Sequence, residues 1–275
     1  MSTTSRYTTA LTIAGSDSGG CAGIQADLKT FSALGVFGAS VITAVTAQNT
    51  VEVRAVEALS PAIIRQQLEA VLDDMPVDAV KTGMLPSPEI IEVVAEAIDR
   101  YALKCVVVDP VMVATSGARL AAASVVEAFR KNLYRRVSLI TPNVPEAEAL
   151  SGKAIRTEED FREAAEIMLG EGCPAVLVKG GHLSSACATD TLFRQGREAV
   201  SFSSPRIATA NLHGTGCTFS SAIAAHLAQG LELEDAVRAA KACISAAIRA
   251  GSERTLGKGY GPVNHLHIYD HFTKR

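Results

Sequence analysis

The feature that most constrains this chain is a repeated change of hydrophobic period. Short runs rich in Val and Ile alternate with longer amphipathic stretches, and "CVVVDP" (105–110) is apolar at every position up to its aspartate. A strand with no polar face must be covered on both sides, which helices crossing back over a parallel sheet accomplish. Strands are expected near 8–15, 39–47, 77–83, 105–110, 137–143 and 175–181. Helices are expected over 22–34, 61–74, 88–101, 215–229 and 233–250, with two more between Pro145 and Leu169. Only 188–205 breaks the rhythm, reading as two strands that turn at Gln195 and Gly196. The expected architecture is a single three-layer α/β/α domain over 1–275, with a mostly parallel central sheet and an antiparallel hairpin at one edge. No repeat, low-complexity segment or long linker divides it, and 257–265 reads as a loop.

Composition narrows the function classes. Of 275 residues, 48% are hydrophobic, enough for a sizeable core, and 26 basic against 29 acidic residues give a net charge of −3 without like-charge blocks. A nucleic-acid partner is therefore not expected, and a small molecule is. The N-terminus lacks the hydrophobic segment of a secretory signal, and no window approaches the ~18 apolar residues of a membrane span. The six cysteines show no paired CxxC spacing, so free thiols in a reducing cytoplasm are expected.

In open α/β sheets ligands sit beyond the carboxyl ends of the strands, which directs attention to the following loops. "GSDSGGCAG" (15–23) joins the first strand to the first helix, but Cys21 and Ala22 stand where a Walker A loop needs Lys and Ser/Thr. It reads either as a tight turn requiring positive φ or as a place where backbone approaches a ligand, with Asp27 one turn further on. Gln48 in "TAQNT" either satisfies a turn or presents an amide to a heterocycle edge. Asp109 ends an apolar strand, where an acid needs a cation, a metal or a cleft. Asn143, Pro145 and Glu146 read as a helix cap and capping box or, since the two readings are compatible, Asn143 and Glu146 read with Asp109 as oxygen donors suited to Mg²⁺. Lys179 ends another apolar strand beside two glycines, where a phosphate would be its natural partner. In "NLHGTGC" (211–217), Gly214 and Gly216 free backbone N–H groups at a helix start, an arrangement suited to anions. Cys217 in that first turn is either a small buried residue or a thiol whose ionisation the helix terminus favours.

Taken together, "LTIAGSDSGGCAGIQADLKTF", "TAQNT", "VKTGML", "DPVMVATSG", "TPNVPEAEAL", "VKGGH" and "HGTGC" resemble, in order and spacing, the hydroxymethylpyrimidine/phosphomethylpyrimidine kinases of thiamine biosynthesis, which are ribokinase-like. The resemblance covers essentially the whole chain. It implies ATP- and Mg²⁺-dependent phosphorylation of 4-amino-5-hydroxymethyl-2-methylpyrimidine and then of its monophosphate. Pyridoxal phosphorylation, alone or in addition, is the alternative. It further implies that Gly214, Thr215 and Gly216 surround the transferred phosphoryl group, with Cys217 in the position of the base. Lys179 and Asn143 would meet the ATP phosphates, and Asp109, Asn143 and Glu146 would hold or orient Mg²⁺. Gln48 would read the pyrimidine in a pocket lined by Gly15, Asp27 and Met84, and a homodimer is expected. Leu212 and Cys21 depart from the pattern, standing where threonine and a glycine or alanine are usual.

Overall fold

A computed structural model describes residues 5–112, 123–181 and 186–272. The chain opens with β1 (Thr9–Asp17), α1 (Gly23–Ala33), β2 (Phe37–Gln48) and β3 (Val53–Ala58), followed by α2 (Pro61–Leu72), β4 (Ala79–Thr82) and α3 (Pro88–Arg100). Next come β5 (Val106–Val108), α4 (Ala123–Asn132), β6 (Leu139–Ile140), α5 (Val144–Ser151) and α6 (Glu158–Gly170). The chain continues through β7 (Ala175–Lys179), β8 (Cys187–Arg194), β9 (Val200–Pro205), α7 (Thr215–Ala228) and α8 (Leu233–Gly251).

Among the described residues, nine strands form one sheet in the order β3-β2-β1-β4-β5-β6-β7-β8-β9. The six from β2 to β7 run parallel. Alternation along the central strands divides the core in two. Val106, Val108, Ile140, Val176 and Val178 face one cluster, built with α2 to α6, while Val107, Leu139, Ala175 and Leu177 face the other, built with α1, α7 and α8. Both faces of the sheet are thus covered, as its apolar strands require. Helix starts are set locally: Ser60 before Pro61 and Ser87 before Pro88 accept the N–H groups of Ile63 and Ile90.

The expected hairpin is present as β8 and β9 at one edge. An antiparallel strand also closes the opposite edge, because β3 pairs with β2. Its sequence "VRAVEA" mixes charged and apolar residues on an almost wholly exposed ribbon, so no burial pattern announced it. Helix α4 was likewise not expected, and β6 is only two residues long where a run over 137–143 was anticipated. Within "DPVMVATSG", residues 113–117 lie outside the described residues, as does His182. No described helix is long and apolar enough to cross a membrane.

Candidate active site

The crossovers to either side of β1 place the loops after β1, β2, β4, β5, β6 and β7 at one end of the sheet, with the start of α7 among them. Gly214 caps α7 at φ +80°, and a Cβ there would run into the carbonyl of Cys21. Glycine is therefore required by conformation and by space together. Thr215 closes this turn on itself, its hydroxyl donating to the Leu212 carbonyl at 2.6 Å and its N–H to the same oxygen at 3.2 Å. Its side chain, expected beside the transferred group, is occupied in the loop. The N–H of Thr218 bonds to Gly214. Among the described residues, Gly216 and Cys217 thus keep the free donors of the first turn.

Asp109, Lys179 and Glu146 converge on that turn. Lys179 donates to Oδ1 of Asp109 at 2.6 Å, and Thr141 adds a bond of 3.2 Å to the same oxygen. A Cβ on Gly216 would lie 3.4 Å from the Lys179 ammonium and 3.7 Å from Oδ2 of Asp109. Burial pushes the Asp109 carboxyl up, but the ammonium groups of Lys179 and Lys81 outweigh it and hold it below the usual carboxylate range. Glu146 has the same burial with less compensation and is pushed up to about 7, Lys179 pulling down and Asp109 pushing up. The capping box is real: Asn143 donates its N–H to Glu146 at 2.8 Å and accepts the N–H of Glu146 at 3.0 Å. Asn143 is also bridged to Lys179, joining the start of α5 to the end of β7.

The second group lies across the α7 turn. A Cβ on Gly15 would stand 2.7 Å from the terminal methyl of Met84, so the glycine leaves room for that side chain. Gln48 is half-buried, with its amide nitrogen 3.0 Å from Nε2 of His213. Asp27 does not present its carboxylate as a pocket wall. Both its oxygens lie 2.9 Å from the Lys81 ammonium, Ser221 donates to one and Thr12 to the other at 2.6 Å each, and its side chain is fully buried. These four hydrogen bonds from three donor groups leave no vacant lone pair for a ligand, and its place is beneath the site.

Lys81 was missed as a site residue although "VKTGML" had been singled out. The available signal was a lysine inside a strand buried at every position. Burial lowers its pKa, but the carboxylates of Asp27 and Asp109 more than reverse this and keep it charged. Cys217 is the principal electrostatic correction. Burial pushes its thiol up to about 11, against the pull of Lys81 and of an N–H from Gly23, so the free protein carries a thiol where the helix terminus had suggested a thiolate. The terminus is too weak because the sulfur is removed from water and also faces Asp27 and Asp109.

Two oxyacids, a lysine and an amide-rich helix start form a set suited to moving a phosphoryl group by position and charge. The comparisons agree. The phosphomethylpyrimidine kinase family model matches residues 17–264. A hydroxymethylpyrimidine/phosphomethylpyrimidine kinase of Rhizobium meliloti is 53% identical over 259 residues, which cover 94% of this chain and 97% of that protein. A thiamine biosynthesis bifunctional protein of Geobacter sulfurreducens is 52% identical over 256 residues, 93% of this chain, which spans about half (52%) of that protein's length. An ADP complex of Bacillus subtilis pyridoxal kinase superposes with a TM-score of 0.89 at 40% identity, covering 96% of this chain and 99% of that one. The fold is that of the ribokinase-like vitamin kinases, and the chain belongs to the phosphomethylpyrimidine kinase family of phosphotransferases.

Proposed function

We propose that this chain transfers the γ-phosphoryl group of ATP to the hydroxymethyl group of 4-amino-5-hydroxymethyl-2-methylpyrimidine, and then phosphorylates the monophosphate to the diphosphate. The observation that carries the reading is the position of Gly216, between the free N–H donors of α7 and the Lys179–Asp109 pair. Lys179 balances phosphate charge, the N–H groups of Gly216 and Cys217 receive the equatorial oxygens, and Gly214 holds the turn open. Asn143 holds the start of α5 against Lys179, beside the phosphates. Cys217 takes the alcohol proton, a step for which Lys81 supplies the local positive charge. Gln48 reads the amino group and adjacent ring nitrogen of the pyrimidine, with Gly15 and Met84 on the pocket wall.

Mg²⁺ suits the donor set, since Asp109 and Glu146 offer hard carboxylate oxygens, and Oδ2 of Asp109 accepts no hydrogen bond from the described residues. Bound there with ATP, it would neutralise charge on the phosphates. Glu146 accepts backbone N–H bonds from Asn143 in the cap and from Met112, and its remaining lone pairs would meet the ion.

A second reading, phosphorylation of pyridoxal, draws on the similarity to the Bacillus subtilis pyridoxal kinase. One experiment separates the two: mass spectrometry of products from ATP, Mg²⁺ and a mixture of the pyrimidine alcohol, its monophosphate and pyridoxal. Pyrimidine mono- and diphosphate as main products support the proposal. Pyridoxal phosphate as main product supports the second reading, and nucleotide binding without turnover refutes both. We further propose that the chain acts in the cytoplasm as one kinase domain that pairs with a second copy. The outer edge of β3, unpaired among the described residues, and the exposed Val45, Val51 and Val56 of the β2–β3 hairpin offer a self-complementary edge, and analytical ultracentrifugation reads the mass.

A further inference from the structure

Beside the pyrimidine pocket the fold gathers three side chains of mixed chemistry. Asp17, at the end of β1, Cys21, in the following loop, and His213, before α7, are all buried, and one ligand atom from each lies within 4.8 Å of the others. The carboxylate of Asp17 is fixed by N–H groups of Gly19, Cys21 and Ala22 at 2.8, 3.0 and 2.8 Å. Gly19 bonds to Oδ1 while Cys21 and Ala22 both bond to Oδ2, so of roughly four lone pairs the one that remains is on Oδ1. His213 Nε2 faces the amide nitrogen of Gln48 at 3.0 Å and lies 4.0 Å from Asp17 Oδ2. An amide nitrogen donates, so Nε2 presents a lone pair and the ring proton resides on Nδ1. Among the described residues, the Cys21 sulfur has only a long contact, 3.6 Å, to the carbonyl of Gly19.

Sulfur, imidazole nitrogen and one carboxylate oxygen form a donor set for a borderline-soft ion, distinct from the all-oxygen set at Asp109 and Glu146. Metal–ligand bonds of about 2.0–2.3 Å require the triangle to close by about 1 Å, within reach of the Cys21 and His213 side-chain torsions. We propose that Asp17, Cys21 and His213 bind Zn²⁺, and that the ion inhibits the kinase by taking the Nε2 lone pair that holds the amide of Gln48. The inhibitory part rests on the reading of Gln48 as the pyrimidine contact. Binding forms metal bonds to sulfur, nitrogen and oxygen, displaces water from the hydrated ion and releases the thiol proton of Cys21 to solvent. A water fills the fourth position, and no electron is transferred.

The test is titration of the metal-free, nucleotide-free protein with Co²⁺, followed by the near-ultraviolet thiolate-to-cobalt charge-transfer band and by displacement with Zn²⁺. One equivalent is expected to give the band. Cys217→Ala retains it, whereas Cys21→Ala and Cys21→Ser lose it and bind at least about tenfold more weakly, with circular dichroism confirming that both are folded. Zn²⁺ raises KM for the pyrimidine alcohol in the parent protein and leaves KM of Cys21→Ala unchanged, while turnover of that variant with Mg²⁺ and no added Zn²⁺ stays within about twofold of the parent. No stoichiometric binding, or a band that survives in Cys21→Ala, overturns the site. A normal band with unaltered KM overturns the inhibitory coupling. The cobalt titration is independent of turnover, so a chain with no activity on the pyrimidine would refute the kinase reading and leave this result standing.

Discussion

At the scale of single residues, opposing influences are concentrated on Cys217. Burial favours its neutral thiol, pushed up to about 11, while Lys81 and the Gly23 N–H favour the thiolate. If Cys217 takes the alcohol proton, the reactive fraction grows as pH rises toward that value. The rate should therefore climb between about pH 7 and about pH 9, and Cys217→Ala should lower it by roughly 10²–10⁴-fold, abolish the climb and leave ATP affinity nearly intact. A variant with unaltered rate and pH profile removes the thiol from proton transfer. Gln48 acts on selectivity instead. Gln48→Ala leaves two pyrimidine groups unmet at roughly 1–3 kcal/mol each, so kcat/KM on the pyrimidine should fall at least about tenfold while pyridoxal turnover falls much less. Equal losses on both substrates would mean that its side-chain bond to His213 serves only the loop's shape. Lys81 acts on stability through a fully buried ion pair. Lys81→Met strands the fully buried Asp27 with hydroxyl partners only, at a cost of about 3–5 kcal/mol, and replacing both partners, as Lys81→Met with Asp27→Leu, should recover much of it in urea unfolding.

At the scale of elements, two helix starts make a controlled contrast. Helix α3 begins at Ser87, whose hydroxyl accepts the N–H of Ile90, with Pro88 in the first position. Ser87→Ala should lower unfolding free energy by about 1 kcal/mol and leave kinetics untouched, since the cap lies outside the site. Helix α7 begins at a glycine in the left-handed region, pressed against the Cys21 carbonyl. Gly214→Ala adds left-handed strain of about 1–2 kcal/mol, and the collision must move the loop that carries the Gly216 and Cys217 donors. Its kcat should fall far more than that strain accounts for, and a variant with parental kcat would show that the donors do not act on the transferred group. Sequence distinguished these starts only in part. "SPE" at 87–89 is a complete local signal, whereas the need for glycine at 214 comes from a loop nearly two hundred residues earlier.

At the scale of the whole molecule, buried titratable groups link stability to pH with opposite signs. His265 is 8% exposed, and burial, with Lys29 and His267 adding to it, depresses its pKa from 6.5 to about 4. The unfolded chain takes up this proton below its ordinary value while the folded chain refuses it, so acidification favours unfolding. The contribution is fully present above about 6.5, declines as pH falls and reaches a loss of about 3 kcal/mol near 4. Glu146 acts in the other direction, because its raised value of about 7 means that the folded state binds a proton the unfolded state has released, so stability falls as pH rises from 4.5 toward 7. The parent's profile is a partial cancellation. His265→Leu should remove the acid-favoured loss alone, so the difference between variant and parent unfolding free energies grows as pH falls from about 6.5 to about 4. A difference that is constant with pH would mean that His265 is not held neutral by the fold.

What the sequence determined by itself was whatever depends on period and on neighbours in the chain. The apolar runs ending at Asp109 and Lys179 required a covered, mostly parallel sheet, the amphipathic period over 88–101 and the cap at Asn143 pointed to helices, and the motif order placed Gly214, Gly216, Cys217 and Glu146 in a kinase family. The exposed strand β3 escaped because a solvent-facing ribbon needs no hydrophobic pattern, and only pairing with β2 reveals it. Tertiary structure alone decided which charges neutralise each other. Asp27 meets Lys81 across 54 residues, Gln48 meets His213 across 165, and Ser221 reaches Asp27 across 194. The protonation of Cys217 also belongs there, because a helix terminus is visible in local sequence, whereas desolvation and surrounding charge depend on everything packed around the sulfur.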